Sequence, residues 1–216
     1  MKREFIIKVA LLLMVFFSFS LFANDADCGN DVHKTITVAP FTAINASKNY
    51  DIDVVIGKAQ SVVIETTEKA FKHLKYYVKD NTLYLSTVDD INISDDVEVE
   101  IRIPALNRVD LSGACEIDVK NISGNSFSIT ASGASEGELQ GSVTNLYLSL
   151  SGAAEFDTED LKAKNVTVHA SGSSELDVFC SNSLSLNVSG SSKITVYGHP
   201  IKVESNTSGI SSVKYK

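Results

Sequence analysis

The chain has only three cysteines, Cys28, Cys115 and Cys180, and no two share a CxxC spacing. Nothing in that spacing points to a structural zinc site, and which thiols pair, if any, stays open, isolated thiols being the simpler reading. The four histidines, His33, His73, His169 and His199, are scattered, with no HxxxH or HExxH pattern to hold a catalytic metal. Serine is abundant, but no G-x-S-x-G elbow sets one on a strand-to-helix turn. Some β-helical enzymes cleave polysaccharides with paired aspartates or basic residues in a cleft, and no arginine follows Arg108 here. Beyond the N-terminus, no apolar run approaches the roughly 20 residues that span a bilayer.

The N-terminus itself is informative. Lys2, Arg3 and Lys8 flank an apolar run from Val9 to Phe22, broken only by Ser18 and Ser20, and Ala23 follows as a small residue. That is the layout of a secretory signal, residues 1–23, with a cut after Ala26 as the alternative. The run is short for an uncleaved anchor, so no stable membrane insertion is expected after cleavage. Removing residues 1–23 takes away three basic residues and one acidic residue. It leaves 16 basic against 26 acidic, a formal charge of −10. With no Lys/Arg cluster to offset it, such a surface repels nucleic acid and anionic lipid.

An internal repeat dominates the rest. Ser-Gly-small begins at Ser112, Ser132, Ser151, Ser171 and Ser189, with a weaker copy at Ser208. Before each Ser-Gly, alternate residues are apolar: Phe127, Ile129, Ala131; Leu146, Leu148, Leu150; Val166, Val168, Ala170; Leu184, Leu186, Val188. After it, Ile117 and Val119, Leu139, Phe156, Leu176 and Val178, Ile194 and Val196, and Val213 continue the alternation. Period two means strands with one buried face. Each repeat of about 19 residues is thus two short strands around a Ser-Gly corner, formed by Gly113, Gly133, Gly152, Gly172, Gly190 and Gly209. One such coil cannot bury its apolar face alone, whereas coils stacked in register share a core. The predicted fold is all-β: a single-stranded parallel β-helix over residues 107–216, right-handed by analogy with crossover chirality.

Residues 24–34 read as a flexible lead-in and residues 35–106 as a β-rich cap, or irregular first coils, of one continuous domain. Tyr50–Ile56 and Ser61–Glu65 predict a hairpin, Lys69–Tyr76 a short helix, and Thr82–Thr87 and Val97–Ile103 two further strands.

The succession F-T-A-I-N-A-S at Phe41, Y-D-I-D-V-V-I-G at Tyr50, N-T-L-Y-L-S at Asn81 and the iterated S-G-[AS]-x-E blocks resemble the putative auto-transporter adhesin, head GIN domain family. The likeness covers roughly residues 35–216. It implies an exported bacterial protein with a right-handed β-helix and an N-terminal β region, and it supplies no catalytic residues.

The chemistry that stands out is acidic. Glu116, Glu136, Glu155 and Glu175 share one repeat position, and Asp118, Glu138, Asp157 and Asp177 share the position two residues on. A spacing of two puts both columns on the outward face of the strand after the corner. They form either a solvated stripe that keeps the rod soluble or a shallow site for Ca²⁺ or a cationic partner. The last two copies depart from the pattern with Lys193 and Ser212. The strand before the corner turns Ser128, Thr130, Tyr147, Ser149, Thr167, His169, Ser185 and Asn187 outward, a row suited to sugars or to water alone. The expectation is an exported, non-enzymatic binding or adhesion module for a protein or glycan, with homo-oligomerisation open. The alternatives are a periplasmic scaffold and, more distantly, a polysaccharide-active enzyme. Both a periplasmic and a cell-surface location fit.

Overall fold

The computed structural model describes residues 31–57, 59–88 and 96–216. The segment read as a signal, and Cys28, lie outside them. Alternating apolar and polar side chains produce strands throughout. They are β1 (Asp31–Ile36), β2 (Ala43–Lys48), β3 (Asp51–Ile56), β4 (Ser61–Thr67), β5 (Leu74–Lys79), β6 (Thr82–Thr87), β7 (Glu98–Ile103) and β8 (Arg108–Gly113). Four long strands follow: β9 (Glu116–Gly133), β10 (Glu136–Leu150), β11 (Glu155–Ala170) and β12 (Glu175–Val188). The last three are β13 (Lys193–Tyr197), β14 (Lys202–Thr207) and β15 (Ser212–Tyr215). A single helical turn, α1 (Glu68–Phe71), sits between β4 and β5, with the Thr67 hydroxyl accepting from the Ala70 N–H at 3.1 Å.

The long strands run through a bend. Their first halves pair in one layer and their second halves in another, so Glu116–Lys120 of β9 lies against β3 while Ser128–Gly133 lies against β8. The trailing layer, made of strands after each corner, runs β1-β4-β7-β3-β9-β10-β11-β12-β13-β15. The leading layer, made of strands before each corner, runs β5-β6-β2-β8-β9-β10-β11-β12-β14. From β7 and β6 onward every pairing in both layers is parallel, which makes the fold the predicted stacked solenoid. The layers enclose one apolar core in which Ile117, Leu176 and Ile194 are fully buried at equivalent places, and Phe156 stands beside Gly137.

The corners explain why glycine repeats. In register, Ser47-Lys48 meets Ser112-Gly113, which meets Ser132-Gly133. Gly133 has φ +91°, and a Cβ there would overlap the Gly113 carbonyl oxygen and come 3.0 Å from its nitrogen. That carbonyl accepts from the Ala134 N–H at 2.7 Å, and the same bond recurs at each later corner. Close backbone approach, more than left-handed φ, is what demands glycine. Lys48 shows the difference: it holds φ 90°, but no earlier Ser-Gly corner lies beneath it.

Four differences from the sequence expectation stand out. β2 and β3 form a full coil, so the stack begins before the first Ser-Gly. β3 and β4 are no hairpin: β7 inserts between them, parallel to β3 and antiparallel to β4, because its Val99, Ile101 and Ile103 need the same core. The predicted helix shortens to one turn, since Leu74, Tyr76 and Val78 alternate as a strand facing inward. β1 begins at Asp31, inside the segment read as a lead-in, and pairs with β4.

Candidate functional site: an acidic face on the solenoid

The trailing layer places the carboxylates in two columns. Register pairs Glu116 with Glu136, Glu136 with Glu155, and Glu155 with Glu175; Asp118, Glu138, Asp157 and Asp177 follow in the same way. The columns are longer than the repeat suggested. Asp51 and Glu98 extend the first, and Asp53 and Glu100 extend the second, through the pairings of β3 with β9 and β7. Twelve carboxylates therefore line one face, with Glu65 of β4 opposite Glu98. The signal for the missed rungs is in the sequence, since D-I-D at 51–53 and E-V-E at 98–100 copy E-I-D at 116–118.

A basic side chain stands at each end of the first column. His33 Nε2 lies 3.0 Å from Glu65, and the Lys193 ammonium bonds Glu175. At the same end Tyr197 donates to Asp177 at 3.2 Å and itself accepts from Lys216 at 2.7 Å. Between these ends neighbouring strands, roughly 4.8 Å apart, oppose like charges. Partial burial, and then the neighbouring carboxylates, hold Asp51, Glu98, Glu116 and Glu138 above their usual range. Asp118 is raised as well, by burial, against the Glu138 N–H that it accepts at 3.1 Å.

Where the first column meets the corners, an open cleft of about 430 Å³ forms between Asp96, Glu98, Asp51, Glu116 and Glu136. Tyr50 and Cys115 form part of its lining. Tyr50 occupies the inward corner position that is Cys115, Ser135 or Ala154 in later coils, and its hydroxyl donates to the Ser86 carbonyl at 2.7 Å. Burial raises both the Tyr50 phenol and the Cys115 thiol. Among the described residues, no three His, Cys, Asp or Glu side chains converge as metal ligands.

Other sequence features resolve into structure. Gly133–Gly137 does spell G-A-S-E-G, but it is a strand-to-strand corner. Its Ser135 is fully buried, with its hydroxyl donating to Ser132 at 3.4 Å, and so faces no substrate. Cys115 and Cys180 are both buried and free. An asparagine ladder that sequence reasoning passed over closes the coils: Asn165 donates to Asn145 at 2.9 Å and Asn182 to Asn165 at 2.7 Å. A basic run also exists after all, with Lys69, Lys72, Lys75 and Lys79 exposed along α1 and the edge strand β5. Among the described residues no helix is long and apolar enough to cross a membrane.

Residues 40–200 match the family model described as putative auto-transporter adhesin, head GIN domain. Among solved structures, a putative adhesin from Bacteroides fragilis is similar at TM-score 0.71 and 16% identity, covering 87% of this chain and 97% of that one. A putative lipid binding protein from Parabacteroides distasonis follows at TM-score 0.57 and 16% identity, covering 88% and 98%. A putative adhesin from Parabacteroides merdae reaches 0.53 at 14% identity, covering 88% and 97%. At these identities the likeness is one of fold. No curated protein matches the chain.

Proposed function

The chain belongs to the putative auto-transporter adhesin, head GIN domain family, and from that membership we propose an exported, non-enzymatic binding module that adheres through its acidic face. The observation that carries this reading is the twelve-carboxylate face itself, continuous over six strands of the trailing layer. Like charges held opposite one another weaken a sheet. A cationic partner would relieve that repulsion on docking, so binding gains what folding gives up. The same face steers a basic surface toward it at low salt. A stripe distributes recognition over many rungs, unlike the isolated acid–base pair of a glycoside hydrolase.

The first test is location. Protease shaving of intact cells should cleave the mature chain; cleavage only after permeabilisation would favour the periplasmic scaffold and sink the adhesin. The second is the face. Binding to an immobilised cationic polypeptide should fall stepwise as Glu116, Glu136 and Glu155 are changed to Gln. Equal neutralisation at Asp31, Glu68 and Glu204 should leave it intact, and Ca²⁺ should compete if it occupies the same carboxylates. Equal loss from both sets would reduce the face to net charge alone.

A further inference from the structure

The leading layer presents a surface of opposite character. In register, Thr130, Ser149, His169, Asn187 and Asn206 form one outward row, and Ser128, Tyr147, Thr167 and Ser185 form the next. No lysine, arginine, aspartate or glutamate occurs among these nine, whereas the trailing face of the same coils is acidic. Charge returns only at the borders, where Arg108 pairs with Asp110 at 3.2 Å and Glu204 ends the second row.

Tyr147 stands in the middle of this lawn of hydroxyls and amides. Ser128 and Thr167 flank it in register. It is 49% exposed, and among the described residues its side chain makes no hydrogen bond or ring contact. At the far end of the rows a polar hollow of about 300 Å³ opens between Asn187, Ser205, Asn206, Thr207 and Ser208, again without a charged group.

We propose that this neutral face binds an uncharged polysaccharide, with Tyr147 as the stacking platform for a sugar ring. A sugar ring is amphipathic: its CH face packs on an aromatic face and its rim offers hydroxyls. Hydroxyl and amide side chains, able both to donate and to accept, match that rim. Tyrosine offers rigid, amphipathic contact at little entropic cost, as in other adaptable recognition surfaces. The strand repeat of about 4.8 Å is close to the length of one pyranose unit, so a glycan lying along the stack meets equivalent residues coil after coil. A polyanion is disfavoured on a chain of net charge −8, and a polycation finds its complement on the other face. The inference rests on the binding-module reading and assigns a second ligand class to a second face.

The test is affinity electrophoresis of the full mature chain through gels holding a soluble β-glucan, a mannan or a xylan, with polygalacturonate as the charged comparison. At least one neutral polymer should retard the wild type, and Tyr147→Ala should weaken that retardation about tenfold or more, as loss of an aromatic anchor does. Tyr147→Phe, which keeps the ring, should retain it, and circular dichroism should show both variants folded. Retardation by none of the neutral polymers, retardation by polygalacturonate alone, or unchanged retardation of Tyr147→Ala would each overturn the assignment. If Tyr147→Ala still binds the cationic polypeptide, a failure here leaves the acidic-face reading standing.

Discussion

Replacing Gly152 with valine tests the stacking argument most directly. Gly152 has φ +85°, and a Cβ there would overlap the Gly133 carbonyl oxygen while lying 3.0 Å from its nitrogen. Holding a β-branched residue in left-handed space costs about 1–3 kcal/mol. Easing the overlap stretches the bond from the Ala153 N–H to the Gly133 carbonyl, now 2.8 Å, a further loss of about 0.5–1.5 kcal/mol. The total is roughly 2–4 kcal/mol, which for a domain of this size lowers the Tm by about 4–16 °C. Thermal melts followed by circular dichroism would read it, and amide exchange should localise the loosening at Ala153. Lys48→Gly is the matched control: it occupies the same corner with φ 90° but faces no earlier glycine corner, so its effect should stay within about 1 kcal/mol. A Gly152→Val protein melting within about 1 °C of wild type would refute close corner stacking.

Three further expectations follow from the same geometry. Because Asp51, Glu98, Glu116, Asp118 and Glu138 are raised in the folded state, the folded chain binds protons that the unfolded chain releases. Their destabilisation is present at pH 7 and fades as pH falls through the raised folded values toward the ordinary carboxylate range near about 4. The Tm at low salt should therefore rise between pH 7 and 5, and a steady fall over that range would contradict the ladder. Glu136→Gln removes a charge set between Glu116 and Glu155 and should raise stability by about 0.2–1 kcal/mol in urea titration, an effect that vanishes in high salt. Asn165→Ala breaks both bonds of the asparagine ladder and should cost about 0.5–1.5 kcal/mol, the net worth of hydrogen bonds within reach of water; a neutral result in urea titration would mean water replaces them fully.

The repeat made the later coils legible because each Ser-Gly, flanked by apolar residues two apart, marks a corner whose chemistry is nearly forced. The first coil was hidden for the same reason. Ser47-Lys48 lacks the glycine, and only the third dimension reveals that nothing there requires one. β7 was misplaced because sequence adjacency favours a β3–β4 hairpin, while the core rewards insertion of Val99 and Ile101 between them. The acidic columns were visible from Glu116 onward, but Asp51 and Glu98 join through strands whose order along the chain differs from their order in space. The cleft at Asp96, Glu98 and Glu116 depends on that rearrangement, so no local pattern announces it.

The corner contact is directional: each glycine is constrained by the coil before it, and none by the coil after. Such a rod has a permissive end and a restrictive one for evolutionary lengthening. A duplicated coil appended beyond Gly209 needs only its own glycine. A coil inserted ahead of Ala43 would set new backbone beneath Lys48 and demand that this residue change first. Length variation among related chains should therefore accumulate toward the C-terminal coils and spare the junction at Lys48.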